Sequence, residues 1–186
     1  KEIITEELEG KDLLVAIGRL TKQKNFEFLI ESISDILKKE NKLILIIIGE
    51  GENREKLEKK IKEKDLEDKI KLIGFKNNIY NYLSRAKFFI LSSLWEDPGW
   101  VLLEAAACNI PILSSNCRNG PIEIINNDKA GVLFRSNSKD DFIKKFYELF
   151  FMKKKEIFMK KLTAKKKSKE YTKFNHCLEL KKIILK

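Results

Sequence analysis

The sequence predicts an α/β fold in which six parallel strands form one sheet with helices on both faces. Two continuous apolar runs, residues 13–17 and 43–48, each end at a glycine and are typical of strands buried on both faces. Between them, apolar residues recur at spacings of three and four, which indicates an amphipathic helix. The same alternation continues to about residue 150. Strands and helices that alternate in this way favour right-handed crossovers and a parallel, three-layer sandwich.

Each further element follows from its local pattern. Short apolar runs bounded by turn residues predict four more strands, at residues 69–73, 88–91, 110–114 and 131–134. The first helix is marked by Phe26, Leu29, Ile30, Ile33 and Leu37. Five others are predicted at residues 54–64, 79–85, 101–108, 121–125 and 140–151. Pro121 opens the helix at 121–125, since proline is favoured at the first helical position.

The net charge of +10 is confined to one end of the 186-residue chain. Acidic and basic residues balance over residues 1–150, so the whole excess lies in the lysine-rich remainder. Scattered apolar positions there predict one or two helices. We therefore divide the chain into a ligand-binding domain, 1–151, and a basic helical tail, 152–186. Such a tail is usually a solvated helix face, which is the favoured interpretation. Binding to an anionic membrane surface is the next alternative, and binding to nucleic acid is disfavoured.

The compartment is predicted from what the sequence lacks. The longest aliphatic run, residues 43–48, is far shorter than the roughly 20 apolar residues that span a bilayer. The three cysteines show no CxxC spacing, which argues against a disulfide framework or a zinc site. The chain begins with lysine and shows no signal sequence. We expect a cytoplasmic piece of a longer protein, with peripheral binding at the inner membrane face as an option.

Two carboxylates eight positions apart mark the middle of the chain. Glu96 follows the predicted strand at 88–91, and Glu104 lies in the first turns of the helix that comes next. In an open α/β sheet, ligands bind where the carboxyl ends of strands meet the amino ends of helices. Helix amides at that place attract anions. The pair therefore predicts a ligand crevice.

The loop after the first strand, residues 18–25, supplies two cations to the same edge of the sheet. Arg19 can bind a phosphate with its forked guanidinium, and Lys24 can act as a point charge, so together they can neutralise a diphosphate. An ordinary basic loop is the alternative. The loop contains neither GxGxxG nor GxxxxGK[ST], so the dinucleotide fingerprint and the P-loop both fail to apply.

Together these segments resemble the donor-binding half of the retaining group 1 glycosyltransferases, which have the GT-B fold. The resemblance covers about residues 13–150. It rests on blocks in the family's order: residues 15–20 with Lys24 and Asn25, 46–51, 73–75, Glu96-x7-Glu104-Ala105, and 120–125. The last block occurs in members that build surface polysaccharides. One half of a GT-B fold is a Rossmann-like domain, in agreement with the predicted sheet.

The resemblance implies a function for each charged residue. Glu96 would accept hydrogen bonds from the hydroxyls of a nucleotide sugar and position its anomeric centre, as the catalytic residue of this half. Glu104 would bind the ribose, while Arg19 and Lys24 would stabilise the diphosphate leaving group. A UDP-sugar is the favoured donor, and surface polysaccharide or glycolipid synthesis the favoured process. With no Asp-x-Asp pair and no histidine cluster, we expect neither a metal nor another cofactor.

The remaining candidate residues surround this set. Phe75 and its neighbours at 76–78 either line a nucleobase pocket or form a plain loop. Asp97-Pro98-Gly99 replaces the family's Gly-Phe-Gly, and Pro98 has no N–H to offer the sugar. Asp97 either contacts a hydroxyl or, as the favoured alternative, caps the next helix. Trp100 either stacks on the ligand or packs in the core. The predicted substrate-binding residues are Gly18, Arg19, Lys24, Phe75, Asp97, Gly99, Trp100, Val101 and Glu104.

The family's acceptor-binding domain has no counterpart in this sequence. The isolated chain is therefore expected to bind the donor without catalysing transfer, and the missing amino-terminal domain is an expected partner. Two alternatives stay open. A sugar-nucleotide epimerase half would share the GT-B-like fold but use other chemical groups, and the basic tail could itself form a module that binds a polyanion or a membrane.

Overall fold

The computed structural model describes residue 8 and residues 10–184. One six-stranded, all-parallel sheet forms its centre, in the order β3-β2-β1-β4-β5-β6. The strands are β1 (Asp12–Ile17), β2 (Leu43–Ile48), β3 (Ile70–Leu72), β4 (Ala86–Leu91), β5 (Ile112–Ser115) and β6 (Val132–Phe134). The predicted α/β class and the parallel sheet are confirmed.

Helices cover both faces of the sheet. One face is covered by α1 (Phe26–Lys39), α2 (Arg54–Glu63) and α6 (Lys139–Phe150). The other is covered by α3 (Tyr80–Leu83), α4 (Trp100–Ala107), α5 (Pro121–Ile125) and α7 (Lys154–Glu170). A last helix, α8 (Lys173–Ile184), follows. The helix predicted at 79–85 is shorter than expected, and β4 begins two residues before its predicted start at 88.

The core consists of two apolar layers with the sheet between them. All six residues of β2 are buried, as their unbroken apolar run predicts for a strand covered on both faces. Phe134, Phe142 and Phe146 fill the layer under α1 and α6, where Phe134 and Phe142 meet edge to face. Burying such a side chain contributes about 1.5–3 kcal/mol. The many buried rings and aliphatic chains thus give the sheet a rigid base.

The strand order reverses between β1 and β4. From β1 the chain moves through β2 to β3 at one edge of the sheet, then returns so that β4 pairs with the other side of β1. Ligands of open α/β sheets bind outside the carboxyl ends of the strands at such a reversal. The loops that begin there are residues 18–25, after β1, and residues 92–99, after β4. These are the two loops that carry the predicted cations and Glu96.

Close backbone contact fixes the loop after β1. A Cβ placed on Gly49, whose φ is 143°, would lie 2.0 Å from the carbonyl oxygen of Gly18. Because no side chain fits in that space, glycine is required where the ends of β1 and β2 meet. The amide of Gly18 also donates to the carbonyl of Ile48 at 3.0 Å. The loop therefore starts from a rigid point.

The basic tail forms two helices, as predicted. Helix α7 packs against α4 and α5 and buries Ala164. The ammonium of Lys160 donates to the carbonyl of Gly131 at 2.9 Å and to that of Asp128, and the hydroxyl of Tyr171 donates to Glu123. Helix α8 has no buried residue. Within residue 8 and residues 10–184, no helix is both long and apolar enough to cross a membrane.

Candidate functional site

A buried ion pair joins the two loops at the reversal of strand order. The Nζ of Lys24, after β1, lies 2.6 Å from the Oε1 of Glu96, after β4. Glu96 is only 3% exposed, although it lies in a loop. The two residues are 72 positions apart in sequence and meet because β1 and β4 are neighbours in the sheet. The ion pair thus joins Lys24, a predicted phosphate-binding residue, to Glu96, the predicted sugar-binding residue.

Two serines directly after β4 hold both members of this pair. The Oγ of Ser92 donates to the main-chain oxygen of Lys24 at 2.8 Å. The Oγ of Ser93 donates to Glu96 Oε1 at 2.5 Å. No role was predicted for these serines from the sequence. Their signal was present, since hydroxyls that follow a fully apolar strand are buried and must find partners.

Further hydrogen bonds hold the two loops against each other. The amide of Leu94 donates to the carbonyl of Gln23 at 2.9 Å, and the side-chain amide of Gln23 donates to the carbonyl of Trp95 at 3.0 Å. Gln23 is a second residue that the sequence analysis missed. Its role depends on the distant loop, so no local pattern could reveal it. The result is a loop pair with little freedom to move.

The turn at residues 97–99 corrects two expectations. Asp97 does not cap α4: the N-cap is Gly99, with φ of 88°, and no side chain caps the helix. Asp97 instead is exposed, and no described residue bonds to its carboxylate. Trp100 is 58% exposed, so the core-packing alternative is wrong. Val101 is partly buried behind it in the first turn of α4.

Gly120, the residue directly before α5, packs against this turn. Gly120 has a φ of 66°, and a Cβ there would lie 1.6 Å from the carbonyl oxygen of Pro98. The peptide bond between Asp97 and Pro98 is cis. Only glycine allows both the left-handed backbone and such close contact. The sequence block that begins at residue 120 thus has a structural reason next to the site.

Arg19 and Phe75 lie at one pocket of about 400 Å³. Its wall is formed by the ends of β1 and β2 and by the loop after β3, and it is largely apolar. Phe75 is 71% exposed. The guanidinium of Arg19 makes no ion pair or hydrogen bond with a described residue. A flat apolar group with an anion attached would fit this combination of ring, apolar wall and cation.

Glu104 lies apart from that pocket. It is half-buried in the wall of a second pocket, of about 500 Å³, between α4 and the end of α7, together with Trp100 and Tyr171. No described residue donates a hydrogen bond to it. Burial raises the pKa of the Glu104 carboxyl above its ordinary value. A half-buried carboxylate without a partner is well suited to accept hydrogen bonds from a ligand.

The chemistry offered by these groups is that of hydroxyl and anion binding. An ammonium carries three N–H donors, of which Lys24 uses one for Glu96, so others are left for a phosphate. Glu96 and Glu104 are acceptors that suit ligand hydroxyls. Among the described residues, no group of three or more histidine, cysteine, aspartate or glutamate side chains is arranged to hold a metal ion.

Comparison with known proteins identifies the family of this chain. The family model described as "Glycosyl transferases group 1" matches residues 2–168, which is most of the chain. The chain belongs to the group 1 glycosyltransferases. The family predicted from the sequence blocks is therefore confirmed.

Curated relatives of this group 1 glycosyltransferase chain include enzymes named for undecaprenol-linked glycans. It is 33% identical over 136 residues to an N-acetylgalactosaminyltransferase of Campylobacter jejuni, covering 73% of the chain and 36% of the relative. It is 34% identical to the UDP-Gal:alpha-D-GlcNAc-diphosphoundecaprenol alpha-1,3-galactosyltransferase of Escherichia coli, over 68% of the chain and 33% of that enzyme. The chain thus spans about a third of the length of these relatives.

Solved structures of glycosyltransferases share the fold. A mutant of TarM from S. aureus, crystallised with UDP, superposes with a TM-score of 0.82 at 25% identity and covers 91% of the chain and 34% of TarM. HepE from Anabaena, in complex with UDP and glucose, gives a TM-score of 0.81 at 16% identity over 92% of the chain and 48% of HepE. The Rossmann-like half of the GT-B fold is confirmed.

Proposed function

We propose that this chain is the donor-binding half of a retaining glycosyltransferase and that it binds a nucleotide-diphosphate sugar. The observation that carries the proposal is the buried Lys24–Glu96 pair at the reversal of strand order. There a cation and a carboxylate acceptor contact each other, and the loop after β1 that supplies Lys24 also carries the exposed Arg19. The process we favour is the synthesis of a surface polysaccharide or glycolipid, in line with the names of the relatives.

Each residue of the site has a role in this proposal. Glu96 accepts hydrogen bonds from the sugar hydroxyls and positions the anomeric centre. Arg19 and Lys24 stabilise the negative charge that grows on the departing diphosphate, which lowers the barrier because these cations are already in place. Phe75 stacks on the base, and Glu104 accepts from the ribose hydroxyls. UDP is the favoured nucleotide, since UDP accompanies TarM and HepE.

We propose that the acceptor is bound by an amino-terminal domain outside this sequence. Helix α8 supports this, because its apolar side chains are exposed and suit a further domain. The isolated chain should then bind the donor and transfer nothing. We propose that no metal takes part in this half, since Arg19 and Lys24 supply the positive charge, and that the protein works in the cytoplasm.

Calorimetric titration of the chain with UDP-, GDP- and ADP-sugars tests the proposal. We expect one nucleotide class to bind, and Arg19→Ala and Glu104→Ala each to weaken binding at least tenfold. Matched controls are Arg85→Ala and Glu67→Ala, exposed residues that precede β4 and β3 at the opposite edge of the sheet. Absence of binding by any nucleotide, or equal losses in the controls, would contradict the proposal.

A second candidate function concerns the outer face of α7, which fits an anionic membrane. Its inner face packs on α4 and α5, while Phe158 and Met159 are 58% and 52% exposed on the outside. The exposed lysines of the helix are Lys154, Lys155, Lys165, Lys166 and Lys169. None of them forms an ion pair with a described residue. Unpaired lysines around apolar side chains match anionic headgroups above an acyl layer.

Vesicle sedimentation tests this second function. The chain should bind vesicles that contain phosphatidylglycerol and should not bind pure phosphatidylcholine. Since a lysine near the surface contributes about fivefold in affinity, Lys155→Glu/Lys166→Glu should weaken binding at least tenfold. The control Lys38→Glu/Lys39→Glu changes the charge equally on the sheet's other face. Equal losses in both variants, or a preference for RNA over vesicles, would contradict membrane binding.

A further inference from the structure

The two carboxylate oxygens of Glu96 have different surroundings. Oε1 accepts from both Lys24 Nζ and Ser93 Oγ. No residue in the described part of the chain donates to Oε2. The oxygen that holds the carboxylate in the protein is thus separate from the oxygen that is left for a ligand.

We propose that Ser93 is a positioning residue that orients Glu96 toward the donor sugar. This inference rests on the proposed function, since it concerns the same carboxylate. The ion pair alone does not fix the orientation of the carboxylate, because the last torsion of a glutamate side chain is broad and the flexible ammonium can move with the carboxylate as it rotates. A second donor to Oε1, from a different strand end, removes that rotation. Ser93 thereby directs Oε2 into the crevice.

Ser93 is itself held from the neighbouring strands. Its main-chain oxygen accepts from Ser115 Oγ, at the end of β5, at 2.7 Å, and from Ser136 Oγ, after β6, at 3.5 Å. Ser93 and Ser115 are both fully buried. The orientation of Glu96 is therefore tied to the ends of three adjacent strands. Such a network specifies geometry better than the ion pair alone, because all of its members are bonded.

A positioning role predicts a loss confined to the sugar. Ser93→Ala leaves Lys24 on Glu96 and leaves the nucleotide contacts intact, so UDP should bind as before. The nucleotide sugar should lose the part of its affinity that Oε2 contributes. A residue needed only for folding would weaken UDP and UDP-sugar alike, so the ratio of the two affinities separates the roles.

The experiment measures dissociation constants of the full chain for UDP, UDP-glucose and UDP-N-acetylglucosamine. For Ser93→Ala we expect the UDP constant within twofold of wild type and at least one UDP-sugar constant raised five- to tenfold. Ser93→Thr retains the hydroxyl and should restore most of the loss. Ser114→Ala is the matched control, because Ser114 is an equally buried serine whose hydroxyl bonds to a main-chain oxygen of β5.

The possible outcomes separate this inference from the proposed function. If wild type binds none of the three ligands, the proposed function fails and the inference fails with it. If wild type binds them and Ser93→Ala leaves the ratio of affinities unchanged, only the positioning role is overturned. Equal weakening of UDP and UDP-sugars, or an equal effect of Ser114→Ala, also overturns it.

Discussion

The two sides of the candidate site are built differently. The proposed sugar side consists of Lys24, Ser93 and Glu96, which are buried or nearly so, and both Lys24 and Ser93 donate to Glu96. The proposed nucleoside side consists of Arg19, Phe75 and Glu104, whose side chains are exposed or half-buried and form no hydrogen bond or ion pair with a described residue. The sugar side is therefore held in place by the fold before any ligand binds. The side chains of the nucleoside side have no partner within the described part of the chain and are free to contact a ligand.

This difference separates stability from binding. A buried carboxylate that loses its cation leaves an uncompensated charge in a medium of low dielectric constant, which is costly. An exposed cation that is removed leaves only water behind. Substitutions on the sugar side should therefore destabilise the protein, whereas substitutions on the nucleoside side should reduce affinity and spare the fold.

The largest effect is expected at Lys24. Lys24→Ala leaves Glu96 buried and unpaired and should lower the free energy of unfolding by about 3–5 kcal/mol, as measured by urea denaturation. Arg19→Ala, its counterpart on the nucleoside side, should change it by less than about 0.5 kcal/mol. Lys24→Met combined with Glu96→Gln should recover much of the loss. Similar stabilities of the Lys24 and Arg19 variants would remove the distinction between the two sides.

An intermediate effect is expected at Phe75. Stacking of a base on an aromatic ring contributes about 1–3 kcal/mol, so Phe75→Ala should weaken UDP binding by roughly fivefold or more in calorimetry. The melting temperature of the Phe75→Ala variant should equal that of wild type, because the Phe75 ring is mostly exposed. Phe151→Ala, an equally exposed ring at the end of α6, serves as the control. Unchanged affinity would show that the pocket beside Phe75 does not hold the base.

The smallest effect is a pH dependence at Glu104. Burial raises the pKa of this carboxyl, so it takes up a proton at a higher pH than an ordinary glutamate, whose pKa is about 4.3. In the proposed function the ionised form accepts hydrogen bonds from the ribose, so UDP affinity should fall as the pH approaches that range from above. Stability changes in the opposite direction: the native state binds this proton more tightly, so Glu104 destabilises the fold at neutral pH.

Glu104→Gln separates the two effects. At neutral pH the variant should match or exceed the melting temperature of wild type in calorimetry, and its weakened UDP binding should lose the acid dependence. Glu67→Gln, at an exposed position before β3, should leave both properties unchanged. A Glu104→Gln variant that melts well below wild type would contradict the assigned cost of burial.

The sheet could be predicted because its strands are buried on both faces. A run such as residues 43–48 has no polar position, which few other structures allow, and its bounds agree with β2. The start of helix α4, which we expected Asp97 to cap, could not be predicted in the same way. The N-cap depends on the backbone angles of Gly99, which in turn depend on the contact of Gly120 with Pro98. Local sequence does not contain that contact.

The sequence could nominate candidate site residues, but it could not show the contacts between them. Glu96, Lys24 and Arg19 stood out because charges at strand ends are informative. Their pairing depends on the order of the strands, since residues 72 positions apart meet only when β4 returns beside β1. The roles of Ser93 and Gln23 depend on the same neighbours. Sequence patterns report periodicity along one segment and give no information on distant partners.

A crystal structure of the chain with a UDP-sugar tests the central claim most directly. We expect the diphosphate at Arg19 and Lys24, the ribose at Glu104, and a sugar hydroxyl on Glu96 Oε2, while Oε1 keeps its bonds to Lys24 and Ser93. The backbone of residues 92–99 should match the structure without ligand. A nucleotide bound elsewhere, or a Glu96 that leaves Ser93 when the sugar binds, would contradict the claim that the sugar side is formed in advance.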